Sequence, residues 1–538
     1  MISDRKGLVQ CALAGPNATV IMKVSARLLR FIIFCHRWLG VTWCLLFALW
    51  FISGIVMMYW SYPEVEQADR LKRGAPLDGP RIRVSPQDAY ARLQRSGPPD
   101  QVQLAMFNGR PAYRFRAGRA QSLVYADDGQ PQTEISRELG QQIAAAWTGQ
   151  AAGPARFDGT MTEVDQWTVG GPGRALWPLL KYSWPNGEEV YVSTVSGEVV
   201  QYTTRGSRMA AYFGAIPHWL YFTPLRKNGP LWRKTVVWAS GIGILISLLG
   251  IVVGIWVYSP RKRYRSPQGS SSFPYTGQKR WHAIFGLMFG LVGCTWAFSG
   301  LLSLGPFESL TEGPATAVRL AGALRGGRFQ LAAFAAKDPR EALGKDAADL
   351  QVKELEFTVF AGEPVYLARA APERSRVIPV HYQSAAFFDP DIVATVLARA
   401  SQPAQLLEAR LVDKYEAYYL DRHHDLPLPA LFIRLNDADR SMYYVDLRTA
   451  RIVQAYSARS RWNRWLYHGL HSLDLPWLYR YRPAWDIIVL VLLLGGATLS
   501  VTAVTIGWQL LQNKTTKLRR TTSRRAGSSF PPAVQERT

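Results

Sequence analysis

At 538 residues the chain is too long for one compact domain, and 48% hydrophobic with only 19% charged residues excludes a disordered or collagen-like protein. The 12% aromatic share, with 19 Trp, is high for a soluble enzyme, and four Cys are too few for a disulfide framework. A net charge of +23 would ordinarily raise nucleic acid as a partner, but the placement of that charge along the chain excludes it.

The N-terminal segment, 1–37, carries Arg5, Lys6, Lys23, Arg27, Arg30 and Arg37. Its first 21 residues resemble neither a signal peptide nor a helix, and Met22-Lys23 would serve as an alternative start. Trp38 to Tyr62 is the first of four stretches without Asp, Glu, Lys or Arg that reach the roughly 20 residues a bilayer requires. Its apolar run is too long for a cleavable signal, and no small-residue cleavage site follows. The long segment 63–234 opens with Ser85 capping a short helix that has Pro86 at its first position and runs to about Gln94. Alternation over Pro111 to Arg116 and over Glu189 to Tyr202, broken at Ser196-Gly197, predicts hairpins.

Thr235 to Ser259 is the second span, followed by a loop, 260–280, holding Arg261, Lys262, Arg263, Arg265, Lys279 and Arg280. Trp281 to Phe307 is the third span. In segment 308–486, Asp338-Pro339 repeats the helix-start signal, and Val352 to Arg369 and Ser441 to Tyr456 repeat the hairpin pattern. Ile487 to Asn513 is the fourth span, and 514–538 is a basic tail. Trp and Tyr near the span ends fit interfacial anchors.

The termini and the 260–280 loop hold nineteen basic residues against two acids, Asp4 and Glu536, so these segments are expected in the cytoplasm. The segments 63–234 and 308–486 are then expected outside, in a periplasm. They contain no Cys: Cys11 falls in the N-terminal segment, and Cys35, Cys44 and Cys294 fall in or beside spans. No C-x-x-C-H occurs, which excludes covalent c-type haem. No phosphate-cradling loop, Ser/His/Asp set or H-E-x-x-H appears, and the pairs Gly250/Gly254 and Gly286/Gly290 predict close helix contacts.

The chain also repeats itself. His36, Gly40, Trp50, Ser53 and Gly54 recur as His282, Gly286, Trp296, Ser299 and Gly300, a constant shift of 246. Farther on the shift is 253: between residues 191 and 232 it gives 11 identities over 42 gapless positions, where average composition would give roughly one in sixteen. The expected architecture is a membrane protein in which four transmembrane α-helices form a pseudo-two-fold, duplicated bundle. Two outer α+β domains complete it.

Only eight His occur, and their placement is informative. His36 and His282 hold equivalent positions at the cytoplasmic ends of the first and third spans. His218 and His471 hold equivalent positions on the outer side, with His468 one turn before His471. Ionisable groups at membrane depth are functional candidates, and two imidazoles from facing helices are what low-spin haem b takes as axial ligands. His36 with His282 and His218 with His471 (or His468) would therefore hold one or two haems b. The alternatives are polar interfacial capping for the first pair and a structural hydrogen bond for the second. His423-His424, beside Asp421 and Asp425, reads as an exposed loop, and His381 stands alone.

Several blocks carry a family resemblance: Cys35-His36-Arg37-Trp38-Leu39-Gly40, the Ala215 to Arg226 run around His218, Trp281-His282, Leu426 to Leu431 followed by Tyr444-Val445-Asp446, and Leu466 to His471. The chain resembles the PepSY-associated transmembrane family of bacterial inner membranes, over roughly residues 25–512. The resemblance implies PepSY-like periplasmic domains. That family includes haem-bearing reductases of ferric siderophores whose membrane His residues ligate haem, and His36, His282, His218 and His471 match them in type and location. The outer His-bearing blocks differ in sequence from those of the siderophore reductases.

The leading expectation is an electron-transfer protein of the bacterial inner (plasma) membrane. It would take electrons from a quinol or a cytoplasmic reductase and reduce a periplasmic ferric chelate or protein. No flavin or nicotinamide domain lies within the 538 residues. The alternatives are a non-catalytic anchored module that binds a periplasmic peptide or protein, and a transporter. Against a transporter, no span holds an internal charged residue.

Overall fold

The computed structural model describes residues 16–266, 269–421 and 425–527. Residues 1–15 (with Arg5, Lys6 and Cys11), the pair His423-His424 and residues 528–538 lie outside the described residues. Two compact units result: a helical unit of Met1–Tyr59, Arg233–Leu304 and Arg482–Thr538, and a second unit of Trp60–Trp232 and Gly305–Tyr481, called the outer unit after its expected side of the membrane.

The helical unit is built on four long helices, Pro16–Met57, Gly229–Val257, Gly277–Leu302 and Arg482–Gly527. Each contains a stretch long and apolar enough to cross a membrane: Arg27–Met57, Gly229–Val257, Gly277–Leu302 and Arg482–Asn513, with mean hydropathy 2.1, 2.5, 1.7 and 2.5. Large side chains such as Leu45, Trp238, Leu291 and Ile487 are left more than half exposed on these helices, as a lipid-facing surface requires.

All four helices begin before the charge-free runs that mark them in the sequence. A charge-free run measures what the hydrocarbon tolerates, whereas backbone hydrogen bonding continues through flanking Arg and Lys whose ends reach water. The first helix also takes in residues 16–21, starting at Pro16 where a first-turn proline loses no bond. The first three helices stop short of the expected ends at 62, 259 and 307. Pro63, Pro260 and Pro306 stand just beyond them and disfavour helix in the residue before each.

The first and third helices pack on the fourth. Side chains at Gly495 and Gly496 would run into the Phe289 and Phe51 rings, so the absence of a Cβ admits both aromatics. A Cβ at Gly254 would stand 2.8 Å from Leu287, and one at Gly290 3.2 Å from Ile251, which makes these glycines the contacts between the second and third helices. Trp43 Nε1 donates to the Ala239 carbonyl at 3.1 Å, tying the first helix to the second. Cys35, Cys44 and Cys294 are free thiols.

The strands of the first outer segment are β1 (Gln101–Phe107), β2 (Arg110–Ala117), β3 (Ala120–Tyr125), β4 (Pro131–Gln132), β5 (Arg156–Met161), β6 (Leu179–Ser183), β7 (Glu189–Ser193) and β8 (Val199–Thr203). A small hairpin of β9 (Tyr264–Ser266) and β10 (Gly269–Ser271) sits in the loop of the helical unit. The second outer segment supplies β11 (Glu354–Phe360), β12 (Glu363–Ala371), β13 (Arg374–Pro379), β14 (Leu406–Val412), β15 (Ala430–Leu435), β16 (Met442–Asp446) and β17 (Arg451–Tyr456).

All four expected hairpins form, as β2–β3, β7–β8, β11–β12 and β16–β17. Ser85 accepts from the Asp88 amide at 3.1 Å to start the helix Pro86–Ala91. That helix ends before Gln94, whose φ of 48° is not helical. Asp338 caps the matching start at Pro339 by accepting from the Arg340 amide at 2.8 Å.

Two four-stranded sheets, β5-β6-β7-β8 and β14-β15-β16-β17, follow the segment boundaries, but the third sheet does not. It has seven strands in the order β13-β12-β11-β1-β2-β3-β4, and β1 pairs antiparallel with β11 from Val102↔Phe357 to Ala105↔Glu354. The outer segments therefore share a sheet and form one compact unit. Unpaired, β1 and β11 would each leave a row of backbone donors and acceptors open, and pairing satisfies both.

One face of this sheet carries an apolar core that includes Leu104, Tyr113, Phe115, Phe357 and Tyr366. Among the residues alternating with that core is a buried ionic cluster: Arg369, 7% exposed, bonds Glu354 at 2.5 Å and Glu356 at 2.7 Å. Arg451 also pairs with Glu356. Burial pushes the Glu356 carboxyl up, and the two guanidiniums more than reverse this, leaving it below the ordinary carboxylate range.

Candidate functional site

The helical unit brings His36 and His282 together, with ring centres 6.2 Å apart and planes at 34°. They come from the first and third helices. The second and fourth helices hold the rings in place. His36 Nδ1 lies 3.1 Å from the Ile246 carbonyl, which can only accept, so that nitrogen carries the proton. His282 Nδ1 lies 3.1 Å from the Thr502 hydroxyl.

The hydroxyl's single proton is donated to the Leu499 carbonyl at 2.7 Å. Its oxygen therefore accepts from His282. Both rings are thus protonated at Nδ1, and Nε2 is left as the basic nitrogen of each. A Cβ on Gly250 would sit 2.7 Å from His36 Cε1, so only glycine lets that imidazole lie against the second helix.

Both His line a cavity of about 340 Å³ within the helical unit. Its walls are mainly apolar, with Phe47, Phe51 and the glycines at 40, 250, 286 and 290 among them, and Tyr275, Arg37 and Lys279 contribute at one end. That volume is in the range of ligand pockets, roughly 300–1,000 Å³.

In the outer unit, His218 and His471 meet with ring centres 6.0 Å apart and planes at 68°. His218 sits on the short helix Ala215–Trp219, which ends at Leu220 in the left-handed conformation. His471 follows a wide turn of i→i+5 type, Arg464–Gly469, a geometry that recurs at functional sites. His471 is the residue whose ring reaches His218. His468 packs on Tyr467 at 4.5 Å and lies within the wide turn, at the position matched by Ala215 in the first half. Burial, then the nearby Arg464 cation, push the His468 imidazole down to about 4. Arg464 itself is buried, donating to the Asp474 carbonyl at 2.7 Å.

Among the described residues no three His, Cys, Asp or Glu gather as a metal cluster. The donor sets among the described residues are two pairs of imidazoles. Two imidazoles bound to one iron, each through a nitrogen at roughly 2 Å, have ring centres roughly 6 Å apart. Both pairs meet that spacing, and the membrane pair adds the fixed tautomers and the cavity. These residues fit a bis-histidine haem.

Sequence reasoning found the four histidines and missed what fixes them. The acceptors Ile246 and Leu499 act through backbone carbonyls, which carry no sequence signal. Thr502 was the visible clue, a polar residue in an apolar span on the helix opposite His282.

Four membrane-crossing helices with a histidine pair in an intramembrane cavity, joined to an α+β unit with a second pair, define the class as a polytopic membrane protein. The chain belongs to the family described as PepSY-associated TM region, whose match covers residues 34–510. No curated protein matches it.

Proposed function

We propose that the protein is a haem-dependent electron-transfer protein of the bacterial inner membrane, reducing a periplasmic ferric acceptor of the siderophore type. The observation that carries this reading is the His36/His282 pair, with both Nδ1 protons committed to acceptors and both Nε2 atoms available as ligands. Metal-bound histidines characteristically donate their other ring N–H in this way.

Haem b held there would supply one-electron chemistry between the ferric and ferrous states. His36 and His282 would hold it. Gly250 admits the His36 ring, and Phe47 and Phe51 line the apolar wall of the same cavity. Arg37 and Lys279, at one end of the cavity, offer cations to carboxylate groups on the ligand's edge. His218 and His471 would hold a second haem, with His468 beside them. The electron donor would be a quinol or a separate cytoplasmic reductase.

The repeat belongs to the same reading. The pairs Asn108/Ala361, Leu220/Leu473 and Gly197/Ala450 share positive φ at a shift of 253. The second and fourth helices start at that same shift, at Gly229 and Arg482. This supports a duplicated bundle that supplies each histidine pair from its two halves. The basic residues of the termini and the 260–280 loop support cytoplasmic termini and a periplasmic outer unit.

Protein purified in detergent from haem-replete cells is expected to give a reduced-minus-oxidised spectrum of b type, with one or two haems per chain by pyridine haemochrome. A haem-free spectrum would leave an anchored module that binds a periplasmic peptide or protein. Gly250→Ala is expected to force the His36 ring away and to lower haem content at the membrane site by at least about 10-fold, as for a lost supporting contact. The same haemochrome quantification reads it, and wild-type occupancy in this variant would show that the Gly250–His36 contact does not matter.

A further inference from the structure

In the outer unit, His218 and His471 are each followed two residues later by a leucine in the left-handed conformation, Leu220 at φ 53° and Leu473 at φ 51°. That conformation costs free energy for any residue with a Cβ, so a turn built on it relaxes unless its surroundings hold it. In both halves a side chain holds the next carbonyl. Gln166 Nε2 donates to the Tyr221 carbonyl at 2.7 Å, and Arg464 Nη2 donates to the Asp474 carbonyl at 2.7 Å. Tyr221 and Asp474 are equivalent under the shift of 253, but their donors are not. Arg464 stands where the first half has Ala211, and Gln166 where the second half has Tyr419, whose hydroxyl donates to the Pro427 carbonyl instead. The two halves share the contact and differ in the residue that makes it.

We propose that Arg464 and Gln166 are positioning residues, pinning the turns that carry His471 and His218 so that the two rings stand opposed as ligands of the outer haem. This rests on the haem reading of that pair. The ring centres are 6.0 Å apart, and a ligand bond of roughly 2 Å to each ring leaves little slack for a turn that shifts. Arg464 carries more of the task. It and Asp474 are 4% and 7% exposed, so their bond is largely shielded from water. The same turn includes two long bonds, from the Ser472 and Asp474 amides to the His468 carbonyl at 3.2 and 3.3 Å. In the first half Trp232 Nε1 also donates to the Trp219 carbonyl at 2.8 Å, so Gln166 shares the load.

The test is titration of haem b into full-length, detergent-solubilised His36→Ala protein, in which the outer site stands alone, read by affinity and by the spin state of the ferric form. Two imidazoles hold ferric haem low-spin, and the loss of one leaves a high-spin fraction. Adding Arg464→Met is expected to weaken binding about 10–100-fold and to bring in that fraction. Adding Gln166→Leu is expected to cost about 5-fold, the worth of one neutral hydrogen bond. Arg464→Lys, which keeps a cation and a donor, is expected to restore the low-spin form. A thermal unfolding curve shows whether Arg464→Met folds. If it folds with the parent's affinity and spin state, the role of Arg464 is overturned, and lowered thermal stability alone would make it a packing residue and overturn it equally. If Arg464→Met does not fold, Gln166→Leu decides by the same two readings, and parent values there overturn the inference. Should wild type bind haem and the His36→Ala parent none, the outer pair holds no haem and this inference fails while the membrane site stands. Should wild type bind none, the haem reading itself fails.

Discussion

His36→Ala and His282→Ala proteins are each expected to lose the haem of the membrane site while keeping the four-helix unit folded. An axial ligand cannot be replaced by a neighbour here, because the cavity walls offer no other imidazole, and its thiol, Cys44, already donates to the Val41 carbonyl at 3.3 Å. The helices should survive. The Ile246 carbonyl that accepts from His36 belongs to a continuous helix, so the loss is that of a single hydrogen bond, about 1 kcal/mol. Haemochrome quantification should therefore fall by one equivalent in either variant, with near-unchanged elution and thermal unfolding of the apo forms. His218→Ala and His471→Ala should remove a different equivalent, leaving the membrane site spectrally intact. Full haem content in both His36→Ala and His282→Ala would refute the ligand assignment.

Arg369→Met is expected to destabilise the outer unit by about 3–5 kcal/mol, a large part of the roughly 5–15 kcal/mol of a typical domain. Glu354 and Glu356 are 8% and 4% exposed and share this one buried guanidinium. Without it Glu354 keeps the Gln67 amide at 3.1 Å and the field of Arg70 and Arg114, and Glu356 keeps Arg451, whose side chain is half exposed. None of these supplies the direct bonds to both carboxylates that Arg369 makes. Urea unfolding of the full-length protein, followed by proteolysis of the outer unit, measures the effect.

The pH dependence should reverse as well. In the wild type the folded Glu356 carboxyl lies below its unfolded value of about 4.3. Its contribution is present above that pH and is lost as pH falls through the folded value. In Arg369→Met burial, the largest influence on the Glu356 carboxyl, is expected to raise it, so that variant should gain stability as pH is lowered from 7 toward 5. Replacing Glu354, Glu356 and Arg369 together by apolar residues should recover most of the loss. Parallel pH profiles for wild type and Arg369→Met would show that the cluster is not electrostatically coupled.

The parts of this protein written in local pattern were legible from sequence. Charge-free runs mark the spans because hydrocarbon penalises any ion, and alternation marks the hairpins because strands have a period of two. The recurrence of His36 as His282 and of His218 as His471 picked out partners that the structure brings to about 6 Å. The choice between His468 and His471 as partner of His218 was not legible, because the wide turn at Arg464–Gly469 breaks the helical spacing that would rank them. The β1–β11 pairing was hidden for another reason. Any two amphipathic edge strands read alike, and only the folded chain shows which edges meet.

That shared sheet has a consequence for how the molecule is made. The strand that completes β1 is synthesised only after the second and third long helices, so the first outer segment must wait with an open edge while both are handled. Contacts this distant in sequence form slowly, and an exposed edge is prone to pair with the wrong chain in the meantime. Expressing the first half alone would make that waiting state permanent. The unit of assembly is thus the whole chain, and a chaperone that shields strand edges would act on β1 before β11 arrives.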